Sequence, residues 1–345
     1  MKTVVPFCIL SACTALMLAA CDHKDLCFNH PEHATRCQTR IDVSYNLCWE
    51  IPEPDGPNWS RDWPANFGIS YTSLNPATPE GVRVNAYDSR GMLTSRHLPA
   101  EGGIVDLTPG DNSLLIYNDD TEFIIFDNLT NTVSAKATTR ARSRTGFRGN
   151  ILDTKSDDDP EYTVSPPDPL FGHYVEQYTQ DRLLTPATLE VKLQPLVYSY
   201  YVRYEFTRGI QYIGLARGAM SGMAASVYLI DGHTGNDRAT VLYDCTVGDG
   251  VVDAVVRTFG IPNYPNNEYS RGDAFYGLTL EVRLKNGKML SFSHDVSEIV
   301  ARQPHGGVIV IKGLEISDEA GNESGSGFDV DVEGWGEYED VPIQL

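Results

Sequence analysis

The chain has 345 residues, with 47 acidic against 27 basic side chains, a formal charge of −20 and a hydrophobic fraction of 41%. An acidic surface of that size repels nucleic acid and anionic lipid headgroups, which excludes polyanion binding as the main function. The apolar content, with 18 Tyr and 12 Phe, excludes wholesale disorder and favours sheet, and the length suits two domains of ordinary size better than one large one.

The chain opens on one cation, Lys2, and an apolar run from Val4 to Ala20 that ends in Leu18-Ala19-Ala20-Cys21. A charged start, an apolar middle and a small-residue cleavage site are the parts of a secretory signal peptide. The run falls short of the roughly 20 residues that cross a bilayer core, and Asp22, His23, Lys24 and Asp25 follow at once, which argues against a spanning helix. A cysteine directly after Leu-Ala-Ala is the residue that bacterial lipoprotein processing acylates. Residues 1–20 are therefore expected to be removed and Cys21 to carry the lipid, tethering the chain to the cell outer membrane. One acyl chain holds marginally and two or more hold firmly.

Residues 21–40 read as a polar, lipidated tether holding Cys27, His30, His33 and Cys37. These are donors for tetrahedral zinc, but the spacing is tighter than a finger and no second ligand pair stands at a standard distance, so no metal is expected. The mature chain keeps four further thiols, Cys27, Cys37, Cys48 and Cys245, in a compartment where oxidation is allowed. A Cys27–Cys37 bridge pinning the tether and free buried thiols both remain open.

From Ile41 to Trp49 apolar and polar residues alternate, as in a strand with one buried face. Ile51 to Pro64 is an excursion rich in Pro and Trp. In it Trp59 and Trp63 flank Ser60-Arg61-Asp62, placed either to stack on a sugar ring or to cover the end of a sandwich. Strands are expected at Val82–Tyr87, Gly103–Leu107, Ser113–Asn118 and Glu122–Asp127, with turns at 88–91, 108–111 and 118–120. The first β-sandwich is assigned to 41–165 and the second to 166–345. The boundary is marked by a basic run (Lys136, Arg140, Arg142, Arg144, Arg148), an acidic one (Asp157 to Asp159) and Ser165-Pro166-Pro167-Asp168-Pro169. The basic run lacks interleaved aromatics and reads as a solvated loop.

Gly172 to Leu184, with Tyr174, Val175, Tyr178 and Leu183 near helical spacing, is the best candidate for a short helix. Leu189, Val191 and Leu193 then alternate with polar residues. Tyr198, Tyr200, Val202, Tyr204 and Phe206 point one way, with Ser199, Tyr201, Arg203 and Glu205 the other. Further strands are expected at 223–230, 239–245, 251–259, 277–284, 289–294, 308–311 and 327–332. A type I′ hairpin turn is expected at Asn286-Gly287. No helix of three turns is evident, so the fold class is all-β.

Dinucleotide and triphosphate loops, zinc-protease helices and the Gly-x-Ser-x-Gly elbow are missing, and Ser221 in Gly218–Gly222 stands one place too late for that elbow. Asp329-x-Asp331-x-Glu333-Gly334 with Asp340 imitates a calcium loop, but Phe328, Val330 and Val332 alternate with the acids as in an amphipathic strand. No catalytic residue and no cofactor are expected.

Several stretches together resemble a known group. Asp25–Pro31 after Cys21, Val82–Tyr87, Leu115–Asp120 with Phe126-Asp127-Asn128, Tyr201–Tyr204, Ser221–Ala224 and Ser326–Phe328 are similar to a Bacteroidales lipoprotein family of unknown function that neighbours the fimbrillin-associated anchor proteins of type V pili. The resemblance implies two tandem transthyretin-like β-sandwiches on a lipid anchor. It implies a role as a fimbrial anchor or as an accessory or tip subunit, with pilin subunits as partners by strand addition. Glycan binding is the alternative, and a hydrolase is the less favoured third reading. An anchor must keep its lipid, so cleavage by an arginine-specific protease after Arg36, Arg40 or Arg140 is not expected.

Overall fold

The computed structural model describes residues 36–143, 161–182, 185–265 and 275–322. Within them the chain is all-β, and its helices are no longer than five residues. The first half holds β1 (Cys37–Tyr45), α1 (Trp59–Asp62), β2 (Gly81–Asp88), β3 (Leu93–Pro99), β4 (Gly102–Leu107), β5 (Gly110–Tyr117), β6 (Ile124–Asp127) and β7 (Lys136–Thr139). Next come β8 (Tyr162–Val164), β9 (Phe171–Gln180), β10 (Ala187–Pro195), β11 (Tyr198–Arg208), β12 (Ile213–Ala224) and β13 (Ser226–Tyr228). The rest are β14 (Arg238–Asp244), β15 (Thr246–Val247), β16 (Val251–Thr258), β17 (Gly277–Leu284), β18 (Met289–Asp295), α2 (Ser297–Ala301), β19 (Gly307–Glu315) and α3 (Asp318–Asn322).

The first sandwich lies between β3-β2-β5-β9 and β10-β1-β4, two sheets joined only at the corner pairs Gln194–Gly172 and Pro195–Phe171. Val84, Leu114, Ile116 and Phe171 from one sheet meet Ile41 and Leu193 from the other in a closed core. β1 is a central strand, parallel to β10 over Thr39–Tyr45 and antiparallel to β4 over Cys37–Asp42. Gly102, at φ +98°, lets the β3–β4 turn press on β1, because a Cβ there would stand 1.9 Å from the Ile41 carbonyl.

In the second sandwich β15-β16-β11-β19 faces β18-β17-β12-β14-β8. Tyr200, Val202 and Tyr204 of β11 meet Met220 of β12 and Leu278 and Leu280 of β17. The Tyr204 and Tyr243 hydroxyls bond each other at 3.0 Å, which satisfies two polar groups inside that core. A three-stranded sheet, β13-β7-β6, roofs a third core that joins the units, where Tyr87, Leu115 and Tyr117 meet Val197, Leu229 and Phe259.

Five expectations change. The segment 172–184 is no helix: β9 pairs with β5, and the ladder slips one residue between Asn112 and Leu114. The bulge shifts the pleat, so that Phe171, Val175 and Tyr178 share the core at spacings of four and three that imitate a helical face. The boundary at 165–166 does not separate the sheets, because β9 and β10 complete the first sandwich while β7 and β8 pair with β13 and β14 of the second half. Prolines and charge runs there mark surface turns on a chain that crosses twice between units. Nor is the basic run a solvated loop throughout, since Lys136 lies in β7 and the Arg142 side chain, 8% exposed, donates to the Leu242 carbonyl at 2.7 Å. The strand expected from Ile41 begins earlier, at Cys37, inside the stretch assigned to the tether.

The 285–288 turn differs in type. Gly287 has φ +87°, whereas Asn286 is not among the residues of positive φ, so the hairpin closes with glycine alone in the left-handed region. The calcium-like stretch 329–340 and the strand expected at 327–332 lie outside the described residues.

Candidate functional site

The first sandwich has an open seam. β3 and β4 are consecutive and joined by a tight turn, yet among the described pairings no ladder connects them: each bonds only its inner neighbour, β2 and β1. Two unpaired backbone edges therefore face one another, a template for an added strand. A cavity of about 110 Å³ opens between them, floored by Val84, Ala86, Val105 and Leu107 and rimmed by Arg36 and Arg96. Arg96 stands opposite Val84 in the β2–β3 register. An inward-pointing charge and Pro99 at the strand end are devices that blunt an edge against indiscriminate pairing. The sequence reading missed β3 because only Leu98 of its side chains is buried. The signal present was Thr94-x-Arg96-x-Leu98 between Gly91 and Pro99.

β1 is secured from both sides in that sandwich. Ile41 is wholly buried, and Arg40 is paired on both sides, with Thr188 and Ile104. The predicted lipid site, Cys21, lies outside the described residues, as do Cys27, His30 and His33. Cys37, Cys48 and Cys245 are free thiols. Burial pushes the Cys245 thiol far up, with Asp244 and Asp253 adding to the effect, so it is inert as a nucleophile.

Trp59 and Trp63 form no sugar platform. The 46–80 segment leaves β1 and straps the outer face of β11 and β19, in the second sandwich. Trp63 packs edge-on against Phe67, Tyr71 and Trp49 at 5.1, 5.7 and 6.0 Å, and its ring reaches Tyr201 at 6.0 Å. The Trp59 indole donates to Gln303 Oε1 at 2.6 Å, and that buried amide also accepts from the Val308 backbone at 2.9 Å. Of the two placements read from the sequence, covering wins, and the covered sheet belongs to the other unit.

Two titratable groups sit under this strap. Burial pushes the Glu50 carboxyl up to about 7, opposed by a hydrogen bond from Tyr71. Burial pushes His305 down to about 4 against the pull of Glu53, whose carboxylate stands 3.9 Å away. His305 lies between the Tyr198 and Tyr264 rings, at 4.5 and 4.7 Å. The Cys48 thiol near Glu50 is pushed up by burial, with the Glu50 charge adding to the effect, so it is held as the thiol and not as the nucleophilic thiolate. Ser221 is buried in β12, in a tight stretch where a Cβ on Gly218 would meet the Tyr243 ring at 2.2 Å. Among the described residues no group of acidic, His or Cys side chains could hold a metal, and no helix is long and apolar enough to cross a membrane.

Comparison with known proteins gives three kinds of likeness. A family model described as Domain of unknown function (DUF5119) matches residues 68–244. A curated protein of Bacteroides ovatus, named as a fimbrium anchoring subunit, Fim4B, is 23% identical over 193 residues, covering 55% of this chain and 55% of that one. The match thus spans about half the length of each. Among solved structures, one from Bacteroides ovatus described as an adhesin superposes with a TM-score of 0.55 at 18% identity, over 83% of this chain and 95% of that chain. This likeness extends to the fold. The fimbrial anchor protein Mfa2 of Porphyromonas gingivalis is 14% identical over 80% of this chain and 91% of its own, with a TM-score of 0.37.

Proposed function

This chain belongs to the family described as Domain of unknown function (DUF5119), and from that premise we propose that it is a lipid-anchored surface protein, a fimbrial anchor or an accessory or tip subunit, without catalytic activity. In this scheme residues 1–20 are the signal peptide, acylated Cys21 enters the outer membrane, and a short tether runs to β1. The two units are transthyretin-like sandwiches, supported by the seven strands of the first, in two facing sheets, and the nine of the second. Pilin subunits are the partners, and the seam between β3 and β4 is where a partner strand adds.

The observation that carries the proposal is the position of β1. Chain arriving from the lipid goes directly to the middle of a sheet, bonded on both sides, with Ile41 in the core. Load on the tether then acts along two ladders at once. An arginine-specific protease has no access to Arg40 in such a strand, because proteolysis needs chain that can leave its neighbours. Cleavage at that arginine therefore cannot part the fold from its lipid. The curated relative named as a fimbrium anchoring subunit supports the same role.

The test is metabolic labelling with radioactive palmitate, followed by capture from solubilised outer membranes. Label is expected in the wild type and absent from Cys21→Ala, and fimbrial subunits are expected to come down with the wild type. Absence of label from the wild type, or capture of the chain with no fimbrial subunit in a strain that makes fimbriae, overturns the proposal.

A further inference from the structure

A second cavity, of about 350 Å³, lies on the opposite side of β2 and β3 from the seam, where the outer face of β2, β3 and β5 meets β6. Ligand pockets begin at roughly 300 Å³, which is far more than a structural water occupies. One wall is apolar, made by Leu93, Ile124, Phe126 and Leu129. Phe126 is braced against Tyr117, with ring centroids 4.7 Å apart, and Leu129 is fixed by the Tyr87 hydroxyl, which donates to its carbonyl at 2.5 Å.

The other end is polar and built. Arg83 Nε donates to Asp119 Oδ2 at 2.7 Å, and His97 Nδ1 stands 3.0 Å from the other carboxylate oxygen, so Asp119 is held from two sides. Asn85 is 1% exposed, its Nδ2 lies 3.4 Å from the Tyr117 hydroxyl, and its Oδ1 has no partner. A buried amide end left unpaired costs about 1–3 kcal/mol, so it points to a missing partner. A ligand hydroxyl supplies the missing donor to that oxygen.

We propose that this cleft binds one uncharged sugar ring, a neutral hexose of a surface polysaccharide, with its C–H face on Phe126 and its hydroxyls on Asn85, Arg83 and Asp119. Charge selects against the alternatives: the Arg83–Asp119 pair cancels, leaving no net cation for a sialic acid or a peptide carboxylate, and the acidic chain repels both. A purely apolar ligand would leave the polar end unpaired. The proposal is independent of the anchoring role, because the cleft and the tether strand share no residue.

The test uses the full chain in detergent micelles and saturation-transfer NMR with the methyl glycosides of glucose, galactose and mannose, and with N-acetylneuraminic acid. At least one neutral glycoside is expected to bind and the acidic sugar to give no signal. Asn85→Leu is expected to weaken binding about tenfold, the loss of one hydrogen bond. If that variant fails to fold, Phe126→Ala at the rim is expected to do the same, while Trp63→Ala leaves the affinity unchanged. Absence of binding by every neutral glycoside, equal binding of the acidic sugar, or affinity lost with Trp63→Ala but kept in the cleft variants overturns the proposal.

Discussion

β1 and the 46–80 strap are consecutive in the chain, yet backbone holds the first and side chains hold the second. Every residue of β1 is paired with β10, with β4 or with both, over Cys37–Tyr45. The strap has one four-residue helix and two short 3-10 turns, and beyond two backbone bonds at its start, from the Ser199 amide to Trp49 and from the Ile51 amide to His305, its grip on the second sandwich comes from Trp49, Trp59, Trp63 and Phe67. A ladder spreads its hold over many hydrogen bonds worth about 1 kcal/mol each. A strap concentrates it in a few rings, each burying enough apolar surface to be worth several times that. The strand should thus tolerate substitution of its exposed side chains, and the strap should fail at single residues.

The sharpest way to break the contrast is Trp49→Ala. Trp49 is 1% exposed, touches Tyr71 and Trp63, and accepts from the Ser199 amide through its carbonyl, at the point where the chain passes from the first sandwich to the second. Gly306, at φ +84°, makes room for that crossing, since a Cβ there would stand 2.9 Å from the Trp49 carbonyl. Truncation should cost about 3–5 kcal/mol. Hydrogen exchange should quicken through 50–75 while β1 stays protected. Equal loss of protection in β1 would mean that the strap and the strand are one cooperative unit.

A smaller loss is expected at the strand. Ile41→Ala should cost about 2–4 kcal/mol in urea unfolding, because the core around it is closed. The neighbouring Asp42→Ala should stay within about 0.5 kcal/mol, since the Arg40–Asp42 ion pair it removes is half-exposed. A large effect of Asp42→Ala would show that side chains, not the ladder, hold β1.

How legible these features were in the sequence follows the same division. Strands that alternate two kinds of side chain declared themselves: β11 turns Tyr200, Val202 and Tyr204 to the core and Tyr201 and Arg203 the other way, as read from the sequence alone, although the strap buries that second face too. β9 was misread because a bulge broke the period of two, and β3 was passed over because an edge strand with one buried side chain has no pattern. The destination of the strap could not be read at all, since nothing local to Trp63 specifies Tyr201, a partner far along the chain. The cleft beside Asn85 was equally hidden: Arg83, Asn85 and Asp119 converge only because β2 pairs with β5 and the chain after β5 folds back. Cys21, the proposed lipid site, is read from a covalent processing signal and not from the fold, and it lies outside the described residues.

The finest test concerns the two groups under the strap. Glu50, raised to about 7, binds a proton in the folded state that the unfolded chain releases near 4.5. Its contribution is therefore complete below about 4.5 and is lost as pH rises through 7. His305, lowered to about 4, is neutral in the folded state where the unfolded chain takes a proton near 6.5. Its contribution is complete above 6.5 and is lost as pH falls through 4. Each displacement corresponds to roughly 3 kcal/mol. The signs are opposite and the windows overlap, so between about pH 4.5 and 6.5 the two terms offset one another. Relative to the wild type, Glu50→Gln should make stability climb with pH across that range, by the His305 term alone. His305→Phe should make it fall with pH, by the Glu50 term alone. Urea midpoints measured against pH for the three proteins separate these slopes, and parallel profiles would mean that neither group is desolvated by the strap. Tyr71, which bonds Glu50, packs on Trp49 with ring centroids 5.2 Å apart, whereas His305 lies between Tyr198 and Tyr264, so Trp49→Ala should flatten the Glu50 slope and leave the His305 slope in place.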